Sequence, residues 1–389
     1  MRRALASGAA GCVVAGALSC QAVAELWTTP DEPAVEPAKA VEPAKPVEPA
    51  KAVEPAKAVE PAKPVEPATW ATPTADAATF ERAAERVSVD LLRTHIEALA
   101  ADDLKGRRTP SAELDRAADL IAKEYARLGL EAPSRAPEYR QTFECGRPGE
   151  PTSSNVVGSL PGRDPQLSEE IVVVSAHYDH IGVATDGDDT VFNGANDNAS
   201  GVAAMIAVAE VLAALPARPR RSVLFVAFCG EELGLHGSQH FADDPVVPLA
   251  KVVADVNLEM LGRPGPTTPK RAWITGMPLS TLGDAAVAVG AEVGIEFVDG
   301  AVVGIVEGNA FDRSDNYPLA RKGVVAHSFS TGKLDDFYHH VDDEAALMEY
   351  EAMVPIVRAL ARLVWRVAEV DATPQWTAAG RAEGLAIPR

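Results

Sequence analysis

Residues 171–180 read Ile-Val-Val-Val-Ser-Ala-His-Tyr-Asp-His, an apolar run that ends abruptly in groups able to bind protons and metals. So short an apolar run, without alternation, predicts a strand over 171–175 buried on both faces. That is the habit of a parallel sheet covered by helices. Sheets of this kind collect their chemistry beyond the C-terminal ends of the strands. His177, Tyr178, Asp179 and His180 fall there.

The same arrangement recurs further along the chain. Residues 194–201, Gly-Ala-Asn-Asp-Asn-Ala-Ser-Gly, open a helix of small residues predicted over 199–215 and stopped by Pro216. A second apolar run, 222–228, leads into Cys229-Gly230-Glu231-Glu232-Leu233-Gly234. A third, 252–256, leads into Asn257-Leu258-Glu259-Met260, and a fourth, 324–329, into a loop that reaches Phe337-Tyr338-His339-His340. A further strand is predicted over 155–160. Helical spacing of apolar residues covers 80–99 and 112–128, with Gly129 as a stop, and a long closing helix is predicted over 345–367. Strands alternating with helices predict an α/β fold: a three-layer domain with a largely parallel central sheet flanked by helices.

Each chemical group alone has an ordinary explanation. Asp197 suits a helix cap, Glu231 and Glu232 suit a solvated helix start, and a single histidine after a strand is usually a surface residue. Delivered together to neighbouring strand ends, His177, Asp197, Glu231, Glu232, Glu259 and His339 converge. Crowded carboxylates in a buried site are costly without a cation. Imidazole mixed with carboxylate suits zinc, and this set exceeds what one tetrahedral ion needs, so two ions sharing a carboxylate is the economical arrangement.

At this point the residues resemble a known family. His177-Tyr178-Asp179, the segment 194–201, the segment 228–238 and Tyr338-His339 occur in the order seen in the M28 zinc metallopeptidases. The similarity runs from about Val87 to Val367 and implies a zinc-exopeptidase-like fold. It implies two zinc ions per chain. His177, Asp197 and Glu259 would hold one, and Glu232, His339 and the bridging Asp197 the other. It further implies Asp179 as hydrogen-bond acceptor for His177, Glu231 as the general base acting on the attacking water, and Tyr338 as a donor to the oxyanion. A cis peptide between Asp197 and Asn198 is implied as well. Two positions depart from the family pattern: Glu259 stands where Asp is usual, and Asn316 of Ser314-Asp315-Asn316 stands where His is usual. Tyr-His followed four residues on by Asp343 favours His339 over His340 as the ligand. The remaining histidines, His95, His180, His236, His240 and His327, match no ligand position and read as structural or solvated.

Outside this region the chain is unlike an enzyme. Arg2 and Arg3, the small apolar run 4–18 and Ala22-Val23-Ala24 have the form of an export signal over 1–24. Leu18-Ser19-Cys20 offers a second reading, a lipoprotein signal with Cys20 as the lipidated N-terminus, although Ala17 sits where such signals carry Leu. Under that reading the lipid on Cys20 is the protein's membrane attachment. Either way the protein is expected to leave the bacterial cytoplasm, for the periplasm, the medium or a lipid anchor in the envelope. The span 25–78 carries a Pro-rich repeat with units at Val35, Val41, Val47, Val53, Val59 and Val65. Proline every sixth residue forbids a stable helix, and at ~3.1 Å per residue the repeat reaches on the order of 110 Å as a polyproline-like stalk or a plain linker. The domain itself is expected over 79–370, with a loosely ordered tail over 371–389. A formal net charge of −20 excludes a nucleic-acid partner, which would require clustered Lys and Arg. Beyond the signal only Cys145 and Cys229 remain, and either one bridge or two buried thiols fits them.

The expected activity is therefore removal of residues from peptides with a free N-terminus. Short linkers between strand ends imply an open pocket, and no large insertion between Cys145 and Asn155 supplies a lid domain. Three other readings stand beside it: a glutaminyl-cyclase-like acyl transferase with one zinc, a carboxypeptidase of the same family, and a non-catalytic stalked metal-binding protein.

Overall fold

The computed structural model describes Trp70 and residues 77–145, 149, 151–267, 270–303, 310–333 and 337–386. The signal expected over 1–24 and the repeat expected over 25–78 lie outside those residues, apart from Trp70, Ala77 and Ala78.

The chain begins with α1 (Ala77–Ala84), α2 (Val89–Leu99) and α3 (Ala112–Arg127). One helix was expected over 80–99, but the chain breaks it before Ser88. That residue is extended, and its hydroxyl accepts the Leu91 N–H at 3.2 Å, capping a new helix. Ser111 caps α3 in the same way through the Leu114 N–H at 3.0 Å. Next come β1 (Arg140–Glu144), β2 (Thr152–Leu160), β3 (Ile171–His177), α4 (Ser200–Ala213), β4 (Ser222–Phe228) and α5 (His236–Asp243). The second half holds β5 (Val252–Leu258), β6 (Lys270–Ile274), α6 (Leu282–Val293), β7 (Ile295–Asp299) and α7 (Gly300–Val303). It closes with α8 (Asn316–Arg321), β8 (Ala326–Ser330), α9 (Tyr350–Glu369) and α10 (Ala378–Ala382).

Among the described residues the strands form one sheet in the order β1-β2-β4-β3-β5-β8-β6-β7. β3 runs parallel to β4 and β5, and β5 parallel to β8. At the margins β2 joins β4 antiparallel, β1 joins β2 antiparallel, and β6 joins β8 antiparallel with β7 parallel to it. The expectation of a largely parallel sheet therefore holds for the central tract and needs correcting at the edges. β1 and β2 are joined by a short connection, which permits only antiparallel pairing, whereas β3 and β4 are linked through α4.

Every residue of β3 is buried, as both faces of the sheet are covered. Side-chain alternation shows this directly on β4: Phe225 tilts against Tyr125 of α3 while Phe228, an odd number of residues away, meets Phe241 of α5 edge-on. Residues so spaced point to opposite faces, so α3 and α5 lie on opposite sides of the sheet and the layers number three. The helix α4 is Ala-rich and buried on nearly all sides, which its small side chains allow.

Two boundaries move. Trp70 belongs to the hydrophobic core and its carbonyl accepts the Arg366 guanidinium at 3.1 Å, so packed residues precede 79. The tail expected to be loosely ordered is packed as far as Leu385. Trp376 is 6% exposed, lies against Phe311 and His327, and donates to the Gly323 carbonyl at 3.2 Å. A lone Trp in a polar stretch carries no periodic signal, which is why the sequence pattern misses it. Cys145 and Cys229 are buried thiols without a disulfide between them; the Cys229 thiol donates to the Cys145 sulfur at 3.3 Å. No helix among the described residues is long and apolar enough to cross a membrane.

Candidate metal centre

The parallel centre of the sheet places the chemical groups. His177 ends β3, Asp197 lies in the turn that starts α4, Glu231 and Glu232 follow β4, Glu259 follows β5, and His339 lies in the loop between β8 and α9. Five separated segments meet at one end of the sheet. His177 Nε2 faces Glu259 Oε1 at 3.1 Å and Asp197 Oδ1 at 3.3 Å. His339 Nε2 faces Glu232 Oε2 at 3.0 Å and Asp197 Oδ2 at 3.3 Å. Asp197 thus turns one oxygen toward each histidine.

The fine structure of the Asp197 turn explains how it is held. The Asp197–Asn198 peptide is cis, as the resemblance implied. Asn198 Oδ1 accepts the N–H groups of Gly201 and Met260, each at 3.0 Å, and Asn198 Nδ2 donates to the Leu258 carbonyl at 3.0 Å. These bonds join the start of α4 to the end of β5. From the other side Asp343 accepts the N–H groups of Asn196 and Asp197, each at 3.0 Å, and pairs with Arg263 at 2.9 Å. Arg107, fully buried, donates to the carbonyls of Tyr178 at 2.9 Å and Gly194 at 3.0 Å, tying the His177 segment to the glycine before the turn. Burial carries its guanidinium down to about 10.

Electrostatics describe an acidic pocket that favours positive charge. Burial opposes protonation of both imidazoles, yet Asp197 and Glu232 push His339 up to about 10, and Glu259 and Glu231 raise His177 well above its ordinary value. Burial would also raise Asp197, but His177 and His339 prevail and hold it below the usual carboxylate range. Burial pushes Glu231 well up, with Asp315, Glu259 and Glu232 adding to it against His177. The donor set fits zinc on an independent ground. His339 Nε2 is buried and hydrogen-bonds to neither carboxylate although Glu232 and Asp197 lie 3.0 Å and 3.3 Å away, an orphaned nitrogen that a shared ion would satisfy. Among the described residues, two groups bring their ligand atoms within 4.8 Å of one another: His177, Asp197, Glu259 and His180, Asp197, Glu232.

Of the other expected residues, some are placed as implied and others are not. The Asp179 carboxylate is 3.6 Å from His177 Nδ1, which lies closer to the Asp179 carbonyl oxygen at 3.2 Å. That carboxylate instead accepts the Glu231 N–H and the Thr109 hydroxyl, each at 3.2 Å, and so anchors the loop after β4. Tyr338 stacks on His339 with ring centroids 3.9 Å apart. His340 points away to an exposed pair with Asp342 at 3.1 Å, which leaves His339 as the residue at the centre. Glu259, one methylene longer than the family's usual Asp, reaches His177 while its Oε2 accepts the Ser314 hydroxyl at 2.7 Å. Asn316, where His is usual, donates to the Phe311 carbonyl at 3.0 Å and accepts the Ser328 hydroxyl at 2.7 Å, a structural role. His327 is structural as expected, with Ser280 at 2.7 Å and the Thr275 carbonyl at 2.6 Å on its two nitrogens. His180 is not a bystander: it is buried, and its Nδ1 lies 2.7 Å from Glu232 Oε1. Its i+3 spacing from His177 was the available signal, and Asp343, Arg107 and Asn198 carried none beyond their place beside the motifs.

A cavity of about 100 Å³ opens beside these groups, lined by His177, Asp197, Glu231, Glu259, Met260, Trp273, Thr275, Arg313 and Tyr338 among others. A model of peptidase family M28 matches residues 155–364. Aminopeptidase YwaD of Bacillus subtilis is 28% identical over 200 residues, covering 49% of this chain and 40% of that one. The match therefore spans well under two thirds of that relative's length. Among solved structures, the LapA aminopeptidase of Legionella pneumophila shares the fold with a TM-score of 0.58 at 17% identity over 75% of each chain. The glutaminyl cyclase of Porphyromonas gingivalis shares it at 0.55 and 18% identity, over 71% of this chain and 97% of that one.

Proposed function

The chain belongs to peptidase family M28, and on that premise we propose that it is a dinuclear zinc aminopeptidase, exported from a bacterial cytoplasm, that removes residues from the free N-terminus of peptides. The observation that carries this reading is Asp197, whose two oxygens face different histidines at equal distances of 3.3 Å. His177, Glu259 and Asp197 Oδ1 would hold one ion; His339, Glu232 and Asp197 Oδ2 would hold the other. When bound, the pair supplies charge that polarises the scissile carbonyl and makes the attacking water more acidic.

The chain's own residues do the rest. Glu231, in the cavity wall and held by its backbone on Asp179, takes the proton of that water and returns it to the leaving amine. A carboxyl raised by burial suits a group that must both accept and give up a proton. Tyr338, in the same wall, donates to the oxyanion. The small cavity suits the end of a peptide better than its middle, and its carboxylates attract an ammonium terminus. Export rests on Arg2, Arg3, the apolar run 4–18 and Ala22-Val23-Ala24.

Metal analysis beside a panel of aminoacyl amides and N-blocked peptides tests the reading. Two zinc ions per chain, turnover of the amides and none of the blocked peptides is the expected result. The second reading, acyl transfer, draws on the fold shared with the Porphyromonas cyclase. One zinc with cyclisation of N-terminal glutamine would establish it instead. Cleavage of blocked peptides from the carboxyl end would assign a carboxypeptidase, and inertness toward every substrate a binding role.

A further inference from the structure

Resting on that two-ion reading, we infer that His180 is a positioning residue of the centre: it takes the oxygen of Glu232 that the second ion leaves free, and so decides how tightly that ion is held. Two ligand atoms ~2.0 Å from one tetrahedral ion lie about 3.3 Å apart. His339 Nε2 keeps that spacing to both its neighbours, 3.0 Å from Glu232 Oε2 and 3.3 Å from Asp197 Oδ2. His180 Nδ1 does not. It is 2.7 Å from Glu232 Oε1, a hydrogen-bond length, and 3.9 Å from Asp197 Oδ2. The two oxygens of Glu232 thus have separate partners, His339 on Oε2 and His180 on Oε1.

The imidazole has no freedom to do otherwise. It is buried, its ring meets His339 edge-on at 5.6 Å, and its backbone N–H is bonded to the Arg107 carbonyl at 3.3 Å. Gly194, at φ +58°, lies against its other side. A Cβ there would stand 2.6 Å from His180 Cγ and Cδ2, so only glycine leaves the ring its place. Nε2 is buried without a partner. That is tolerable when the proton sits on Nδ1, because Nε2 then offers only a lone pair and no stranded N–H. With Nδ1–H donating to Oε1, Glu232 cannot swing to bind through both oxygens or turn away from the ion. Hydrogen-bonded partners of metal ligands typically change metal affinity by about 10–100-fold.

Zinc content and zinc affinity, measured by competition with a chromophoric chelator, test this on wild type, His180→Phe and His180→Asn. Phe keeps the ring and removes the donor; Asn restores an N–H close to the Nδ1 position. The expected result is a second zinc loosened about 10–100-fold in His180→Phe, a first zinc unchanged, and most of the loss recovered in His180→Asn. Both ions held as in wild type, both loosened alike, or no recovery with Asn would each overturn the inference. Wild type that binds fewer than two zinc ions would instead sink the two-ion reading, and this inference with it. A measurement free of folding artefacts uses wild type loaded with cadmium-113: imidazole nitrogens of His177 and His339 couple to the metal and those of His180 do not. Coupling to His180 would make it a ligand and reject the positioning role.

Discussion

Asp255 lies on β5 behind the centre, fully buried, its Oδ1 accepting the Ser175 hydroxyl at 2.8 Å and its Oδ2 without a partner. Burial pushes this carboxyl up to about 8, whereas in the unfolded chain it ionises near ~3.9. From about pH 4 to pH 8 the folded protein therefore holds a proton that the unfolded chain has released, and stability falls as pH rises across that window. Asp255→Asn cannot ionise, so its thermal midpoint should gain on wild type, more at pH 8 than at pH 5. A gap that does not widen with pH would refute the assignment. Glu231→Gln tests the chemistry instead. It should retain zinc and fold while kcat drops by roughly 10²–10⁴-fold, the usual worth of a general base; turnover near wild type would remove Glu231 from that role. His177, Asp197, Glu232, Glu259 and His339 were legible in the sequence, because each borders a run whose apolarity marks a buried strand or helix. The work of His180, Asp343 and Arg107 was not. It depends on which carbonyl or carboxylate lies opposite in space, and the i+3 spacing of His180 or the place of Asp343 in the Tyr-His motif marks the residue without encoding that partner.

The elements that carry the site were legible for the same reason. β3, β4, β5 and α4 are buried nearly throughout, so their sequences are mostly apolar and their bounds fall within a few residues of those predicted. β1, β6 and β7 are marginal strands of five residues with exposed or half-exposed positions, Arg140–Glu144, Lys270–Ile274 and Ile295–Asp299, and their mixed polarity conceals them. Close packing at the start of α4 gives the sharpest test at this scale. A Cβ on Gly201 would stand 2.3 Å from the Leu258 carbonyl oxygen and from Asn198 Oδ1. Gly201→Ala should therefore cost about 1–3 kcal/mol in urea denaturation and loosen zinc, since the same atoms hold the Asp197 turn. A variant as stable as wild type would show that the turn can yield.

For the molecule as a whole, crowded carboxylates should make stability depend on bound cations. Stripping zinc with a chelator should lower the thermal midpoint, by about 4 kcal/mol of stability for a site that had been held at 1,000 times its Kd. Zinc should restore it and magnesium should not, because imidazole ligands suit the former. A midpoint indifferent to chelation would mean that protons on His177 and His339 suffice to balance the acids. The mixed sheet has one more consequence. The strands that deliver His177, Glu231, Glu232 and Glu259, namely β3, β4 and β5, belong to its parallel tract, while Trp273 and Thr275, which shape the cavity wall, come from β6 and the residue just beyond it, on the antiparallel border. Under the proposed reading this border would set selectivity apart from the chemistry. Grafting residues 270–275 from another sequence should reorder KM among aminoacyl amides while the zinc content stays as it was, which makes that border a handle for retuning what the enzyme trims.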